Sequence, residues 1–192
     1  MHIIFSHGKE SGPWGSKIKR LARFAEKQGF SVSSIDYTDT FDPDARVQRL
    51  VEATEQCQEP YLLVGSSMGA YVSLVAAATT DPKGVFLLAP ALYLPGYQKQ
   101  SYRCEAPVTI VHGWSDELIP PENPIRFAKE HQCTLHLIDG DHRLNSSLDL
   151  VERLFGVFLG AAESVSSCVD DCVFSTAFSS GSSAAVKASE AW

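Results

Sequence analysis

The sequence lacks a long hydrophobic run, an excess of basic residues and a regular cysteine pattern. Its longest apolar stretch, Val85 to Leu94, contains a proline and is far shorter than the roughly 20 residues that a transmembrane helix needs. The formal net charge is −7, which opposes binding to a phosphate backbone. We therefore predict that the protein has no membrane span and no nucleic-acid partner.

Cysteine is also sparse and irregular. The sequence has 5 cysteines, an odd number, and none of them forms a CxxC pair. This argues against a disulfide framework and against a zinc site, and it favours reduced thiols. The first residues, Met1 to Phe5, show neither the basic leader nor the apolar segment of a secretory signal. We accordingly expect a cytoplasmic protein.

The composition is that of a globular domain with an additional segment. The 192 residues include 44% hydrophobic and 20% charged residues, so a packed core can form. The texture changes after Gly160, where a Ser- and Ala-rich run extends from Ala161 to Trp192. We predict a single domain over residues 1–160 and a Ser-rich C-terminal tail over residues 161–192.

Short apolar runs alternate along the chain with segments of helical period, which is typical of βαβ units on a parallel sheet. The predicted strands are His2–Ser6, Phe30–Ile35, Tyr61–Val64, Val85–Leu88, Val108–His112 and Thr134–Ile138. Helices are predicted around residues 18–25, after Asp42-Pro43, and over Gly65–Thr79, Pro121–His131 and Ser146–Leu159. The pattern predicts a three-layer α/β/α fold with a mostly parallel six-stranded sheet. The basic residues of the first helix, Lys17 among them, are expected to face solvent.

The strongest chemical signal is Gly65-Ser66-Ser67-Met68-Gly69, which has the pattern GxSxG. The pattern alone is weak, but here it follows a predicted strand and opens a predicted helix. A serine on such a sharp turn needs small neighbours, because the backbone is strained and adjacent strands are close. The N-terminal end of the helix then favours negative charge near the serine oxygen. Ser67 is therefore the candidate nucleophile.

A serine hydroxyl needs a base to accept its proton, and a histidine base needs a third group that fixes its tautomer. Asp116 follows the fifth predicted strand and His142 follows the sixth. Both therefore lie at the carboxyl edge of the predicted sheet, where ligand sites form. The chain order Ser67, Asp116, His142 is the one expected for this type of turn. Glu117 remains an alternative to Asp116 as the acid.

The other histidines are expected to have supporting roles. His7 and His112 each precede a glycine at the end of a predicted strand, so we expect both to support loops. A metal site formed by these two with His142 would need support from a ligand spacing such as HExxH, which the sequence lacks. We predict no metal site.

Four motifs together give the chain a family resemblance. They are Ser6-His7-Gly8-Lys9, Gly65-Ser66-Ser67-Met68-Gly69, His112-Gly113-Trp114-Ser115-Asp116 with Ile119-Pro120, and Gly140-Asp141-His142. Over roughly residues 1 to 160, the chain resembles a small α/β-hydrolase-fold serine esterase. The resemblance implies a reduced version of that fold, with strand order 2-1-3-4-5-6. It also implies that the backbone N–H groups of Lys9 and Met68 form an oxyanion hole.

The segment between the fourth and fifth strands, Ala89 to Pro107, is shorter than the cap that such proteins commonly carry. We therefore expect a shallow, open site. The candidate walls for an acyl group are apolar and aromatic residues close to the predicted strand ends, namely Leu92, Tyr93, Tyr97, Trp114 and Leu118.

The resemblance implies a serine hydrolase that cleaves carboxylic esters of small acyl groups through an acyl-enzyme intermediate and uses no cofactor. Two alternatives stay open at this stage: a thioesterase or peptidase with the same triad, and a non-catalytic binding module that keeps the fold. The expected partner is a small-molecule ester. The sequence predicts no oligomeric state.

Overall fold

The computed structural model describes residues 1–174 of the chain, with side chains as far as residue 164. The strands are β1 His2–Ser6, β2 Ser31–Ile35, β3 Tyr61–Ser66, β4 Val85–Leu88, β5 Val108–Gly113 and β6 Thr134–Ile138. The helices are α1 Ser16–Lys27, α2 Pro43–Glu55, α3 Met68–Ala77, α4 Glu122–His131 and α5 Leu148–Phe174, with a short 3₁₀ turn at Asn145–Ser147. A helix follows each strand except β4, which is joined to β5 by a segment without a helix.

The six strands form one sheet in the order β2-β1-β3-β4-β5-β6, and every pairing is parallel. This confirms the predicted order. The strand β3 occupies the middle of the sheet, and β1 and β4 are its neighbours. Because all strands are parallel, their carboxyl ends lie along one edge, which is where ligand sites form in open α/β sheets.

Each face of the sheet carries its own hydrophobic core, which confirms the three-layer architecture. Alternate residues of β1 point to opposite faces: Ile3 and Phe5 pack with α1 and α5, whereas Ile4 packs with α2 and α3. Central strands therefore have apolar residues at consecutive positions, as in the fully buried β4.

Two helix boundaries differ from the sequence prediction by more than two residues. Helix α3 begins at Met68 and not at Gly65, because β3 continues through Ser66 and Ser67 has a non-helical backbone. Helix α5 continues to Phe174, so its predicted end at Leu159 was wrong. Its extension still contributes to the core, since Ala162 is buried there. The division into a domain and a tail remains a prediction, and residues 175–192 lie outside the described residues.

No helix within residues 1–174 has both the length and the hydrophobicity that a membrane crossing would need.

Candidate active site

Ser67 occupies a strained turn between β3 and α3. Its backbone angles are φ 57° and ψ −119°, a conformation that residues with a side chain rarely adopt. Hydrogen bonds to the end of β4 and the segment after it hold this conformation: the Ser67 N–H donates to the Leu88 carbonyl at 2.9 Å, and the Ala91 N–H donates to the Ser67 carbonyl at 3.2 Å. Such strain persists only where the surroundings fix it, and it is concentrated at functional sites.

The two glycines of the GxSxG motif are required by packing. A Cβ atom on Gly65 would clash with the backbone of Gly69, and a Cβ atom on Gly69 would clash with the carbonyl groups of Ser6 and His7. The start of α3 therefore lies directly against the ends of β3 and β1. This close approach brings Ser67 up to the loop that follows β1.

A continuous chain of hydrogen bonds joins the three residues that the sequence predicted as a triad. The Ser67 Oγ atom lies 3.0 Å from Nε2 of His142, and Nδ1 of His142 lies 2.8 Å from Oδ2 of Asp116. Ser67 is partly accessible, whereas Asp116 and His142 are buried. Glu117, the alternative acid, is exposed to solvent.

The Asp116 carboxylate is fully satisfied without a lysine or arginine. Its Oδ1 atom accepts hydrogen bonds from the backbone N–H groups of Leu118 at 2.9 Å and Ile119 at 2.8 Å, while Oδ2 faces His142. Burial by itself raises the pKa of Asp116, but the hydrogen bonds from His142 and the two N–H groups outweigh it and lower that pKa below its ordinary value. Asp116 is therefore ionised at neutral pH and can fix a proton on Nδ1 of His142.

The loops that carry Asp116 and His142 are joined through their backbones. The Trp114 N–H donates to the Ile138 carbonyl at 2.9 Å, and the Ser115 N–H donates to the Gly140 carbonyl at 3.0 Å. A Cβ atom on Gly113 would clash with the Gly140 carbonyl, so glycine is needed at this crossing. The His-Gly pair at the end of β5 thus brings the acid and the base together.

His112 supports this pair of loops from inside the protein. It is fully buried, and its Nε2 atom lies 3.0 Å from the Ile119 carbonyl and 3.5 Å from Oδ2 of Asp116. Burial lowers its pKa, so the ring is neutral at neutral pH and its Nε2–H donates to Ile119. Its Nδ1 atom has no hydrogen-bond partner among residues 1–174.

His7 has the corresponding position at the end of β1. Its buried ring accepts a hydrogen bond on Nε2 from the Tyr37 N–H at 3.0 Å, so the proton resides on Nδ1, which donates to the Gly8 carbonyl at 2.7 Å. Burial lowers the pKa of His7 and keeps the ring neutral. The next residue, Gly8, lies beside Ser67: a Cβ atom on Gly8 would lie 3.5 Å from the Ser67 Cβ atom.

The predicted oxyanion donors belong to two different segments of the chain. Met68 is the first residue of α3, and Lys9 follows Gly8 in the exposed loop after β1. The Lys9 N–H has no acceptor among the described residues. Their use as oxyanion donors remains a prediction from the family resemblance.

The predicted walls of the substrate site divide into two groups. Trp114 and Leu118 are 58% and 62% exposed on the loop after β5. Leu92 is fully buried in the core and offers no surface to a substrate, so its assignment was wrong. Tyr93 and Tyr97 are half-buried and pack against the same core, with Tyr93 donating its hydroxyl hydrogen to Glu130.

Sequence reasoning missed several residues of this edge. Trp14 and Phe41, on the loops after β1 and β2, are 42% and 60% exposed. Lys17 is partly buried and donates to the His142 carbonyl at 3.4 Å, although its helix face was expected to be solvated.

Arg46, on α2, was also missed, and it is fully buried. The sequence did contain a signal for its burial. Arg46, Leu50 and Thr54 are spaced four residues apart, and residues at this spacing share one face of a helix.

No three metal-ligating side chains come together within the described part of the chain in a way that could hold a metal ion.

A serine on a strained strand-to-helix turn, linked through a histidine to an aspartate at the carboxyl edge of this parallel sheet, has the arrangement of an α/β-hydrolase-fold protein. The model of the Uncharacterised protein family (UPF0227) matches residues 2–100. The chain therefore belongs to that family and, through the solved relative described next, to the alpha/beta superfamily of hydrolases. No curated protein sequence matches it significantly.

Solved structures support this placement. A protein from Xanthomonas campestris described as a hydrolase of the alpha/beta superfamily is 32% identical, with a TM-score of 0.78, covering 83% of this chain and 98% of its own. Est1E from Butyrivibrio proteoclasticus is 20% identical, with a TM-score of 0.73, covering 85% and 88%. An α/β serine hydrolase without lid from Xanthomonas campestris is 22% identical, with a TM-score of 0.65, covering 80% and 78%. The last two show likeness of fold alone.

Proposed function

We propose that this hydrolase is a serine esterase that cleaves carboxylic esters of small acyl groups through an acyl-enzyme intermediate. The observation that carries the proposal is the unbroken hydrogen-bond chain from Ser67 Oγ through His142 to Asp116, at 3.0 and 2.8 Å. Both distances lie within the range needed for proton transfer and for fixing a tautomer.

The first half-reaction acylates the serine. Because Asp116 holds the proton of His142 on Nδ1, the lone pair on Nε2 faces Ser67 Oγ. Nε2 takes the hydroxyl proton as Oγ attacks the ester carbonyl, and the carbonyl oxygen becomes an oxyanion. The N–H groups of Lys9 and Met68 would stabilise this charge. The intermediate then collapses, the bond to the alcohol breaks, and His142 returns its proton to the leaving oxygen.

The second half-reaction releases the acid. A water molecule gives one proton to Nε2 of His142 while its oxygen attacks the acyl carbon. The resulting oxyanion collapses, the bond to Ser67 Oγ breaks, and the proton on His142 passes to that oxygen. The products are one carboxylic acid and one alcohol, and the enzyme is restored without any cofactor.

The surface around Ser67 supports an open, apolar substrate site. Four of the exposed large hydrophobic side chains of the described residues lie on loops at the carboxyl edge of the sheet: Trp14, Phe41, Trp114 and Leu118. Large apolar side chains left exposed around a polar group are typical of binding sites. The connection between β4 and β5 is only residues 89–107 and contains no helix. These features favour small, accessible esters.

The experiment is hydrolysis of p-nitrophenyl esters with two, four, eight and twelve acyl carbons. We expect wild-type turnover with an optimum among the short esters, and a loss of at least about 10⁴-fold in kcat for Ser67→Ala. The control is Ser66→Ala, which removes the neighbouring hydroxyl and should stay close to wild type.

Turnover retained in a folded Ser67→Ala variant would contradict the proposal. If the wild-type protein did not hydrolyse oxygen esters but cleaved acyl thioesters or peptide anilides, the triad mechanism would stand and the substrate class would be different. Inertness toward all three would favour a binding module.

A further inference from the structure

Arg46, on the first turn of α2, is a fully buried charge that has no carboxylate partner. It is the largest of the fully buried side chains, and no acidic group within the described residues lies at ion-pair distance from it. Its guanidinium donates to backbone carbonyls instead: to Thr40 at 2.7 and 2.9 Å, to Tyr37 and Gly8 at 3.2 Å, and to His7 and Lys9 at 3.4 Å. Burying a charge is costly, so an arrangement of this kind needs many hydrogen bonds to persist.

These five carbonyls belong to two separate loops. His7, Gly8 and Lys9 follow β1, whereas Tyr37 and Thr40 follow β2. The strand β1 lies between β2 and β3, and β3 leads into Ser67. Arg46 therefore ties the loop beside the nucleophile to the loop at the edge of the sheet. Only an arginine offers five N–H donors in a rigid planar group that can reach so many acceptors.

The bond to Gly8 determines where the next N–H points. Gly8 C=O and Lys9 N–H belong to one peptide unit, and in a trans peptide these two groups point in opposite directions. The structure has no cis peptide bond in residues 1–174. The Gly8 carbonyl faces Arg46 and His7, so the Lys9 N–H faces away from them. Gly8 itself packs against Ser67, so the Gly8–Lys9 peptide adjoins the nucleophile.

We propose that Arg46 is a positioning residue that holds the Lys9 N–H in the orientation needed to bind the oxyanion. The inference rests on the proposed esterase function. Arg46 touches no substrate: it acts through the Gly8–Lys9 peptide, and its loss lowers transition-state stabilisation without weakening substrate binding. A merely structural arginine would affect stability alone.

The test compares Arg46→Lys and Arg46→Gln with wild type. The lysine variant keeps the charge with fewer donors, and the glutamine variant removes the charge and its burial cost. We expect kcat for p-nitrophenyl butyrate to fall about 10-fold for lysine and about 100-fold for glutamine, with KM within about twofold, since one oxyanion donor is worth about 10²–10³ in rate. Affinity for an alkyl boronic acid, whose tetrahedral adduct on Ser67 mimics the oxyanion, should fall in parallel.

The matched control is Arg49→Gln. Arg49 lies one turn further along α2, is only partly buried, and pairs with Asp39 and the Asp36 carbonyl. We expect its kcat and boronic acid affinity to stay within about twofold of wild type. Thermal unfolding of each variant separates positioning from folding.

The outcomes are distinct for the two proposals. A folded Arg46→Lys or Arg46→Gln variant with wild-type kcat and boronic acid affinity would overturn the positioning role, as would failure of both variants to fold, which assigns Arg46 to folding. A wild-type protein that neither hydrolyses esters nor binds the boronic acid would instead overturn the proposed esterase function.

Discussion

The two sides of Ser67 bury charges of opposite sign. On what we call the oxyanion side, residues 7–9 and 37–40, a buried guanidinium from Arg46 donates to backbone carbonyls. On the acid-base side, residues 112–119 and 140–142, the buried Asp116 carboxylate accepts from backbone N–H groups and from His142. Within the described residues neither charge is paired with a lysine, an arginine or an acid. Backbone carbonyls satisfy Arg46, and backbone N–H groups together with His142 satisfy Asp116.

The two buried charges differ in the group that each one orients beside Ser67. Arg46 uses all its donors to fix the backbone, and what it orients is a single N–H of Lys9. Asp116 uses Oδ1 for the backbone and leaves Oδ2 for His142, whose ring must change protonation in the proposed reaction. The oxyanion side thus holds a rigid peptide, and the acid-base side holds a side chain that transfers a proton. Changes on the acid-base side should therefore have the larger effect on rate.

Among changes to the residues on the two sides of Ser67, the largest effect is expected for Asp116→Asn. The amide would present an N–H to His142 and favour the tautomer that has its proton on Nε2, which cannot accept the Ser67 proton. We expect kcat to fall about 10³–10⁴-fold with the fold intact. Steady-state hydrolysis of p-nitrophenyl butyrate measures this, with Glu117→Gln as the control that should keep wild-type activity. If Asp116→Asn kept its activity and Glu117→Gln lost it, Glu117 would be the acid of the triad.

An intermediate effect is expected on the oxyanion side from His7. In His7→Asn the amide nitrogen can replace Nδ1 as donor to the Gly8 carbonyl, whereas in His7→Gln the longer side chain can accept from Tyr37 but loses that donor. We expect kcat to fall about 10- to 50-fold for glutamine and under about fivefold for asparagine. Equal losses in two folded variants would show that the bond to Gly8 does not matter for the rate.

The smallest effect concerns Lys17, which connects α1 to the acid-base side. Burial lowers the pKa of Lys17 to about 8, although the nearby Asp141 and Asp116 act to raise it. In the unfolded chain the pKa is about 10.4, so between pH 8 and 10 the unfolded state binds more protons and the folded state gains stability as pH rises. Relative to Lys17→Met, wild type should gain about 2–3 kcal/mol from pH 7 to 10.

Urea unfolding at pH 7, 8, 9 and 10 measures this gain as the difference in free energy of unfolding between wild type and Lys17→Met. Lys19→Met, on the exposed face of the same helix, is the control and should show no such trend. A difference that does not change with pH would mean that Lys17 keeps its ordinary pKa in the folded protein.

The sequence predicted the sheet well because its signals are local. Apolar runs such as Val85–Leu88 are buried on both faces, and the helical segments between most strands are the crossovers that parallel strands need. The start of α3 was predicted wrongly because β3 continues through Ser66 and the strained Ser67 precedes the helix, and helix propensity does not encode either feature. The end of α5 was predicted wrongly because Ser- and Ala-rich composition resembles a tail even where it continues a helix.

The candidate site was predictable to the extent that each residue follows a strand. Ser67, Asp116 and His142 each lie within a few residues of a strand end, so parallel topology alone brings them to one edge. Arg46 and Lys17 were missed because their burial depends on loops that are distant in sequence: the loop that covers Lys17 carries His142, 125 positions away. Leu92 was assigned wrongly because an apolar loop residue can face either the site or the core.

The most direct measurement is labelling of the purified protein with a fluorophosphonate, followed by peptide mass spectrometry. We predict a single adduct on Ser67, none on the Ser67→Ala variant, and slower labelling of Asp116→Asn. A protein that forms no adduct, or that forms one on a residue other than Ser67, would contradict this prediction.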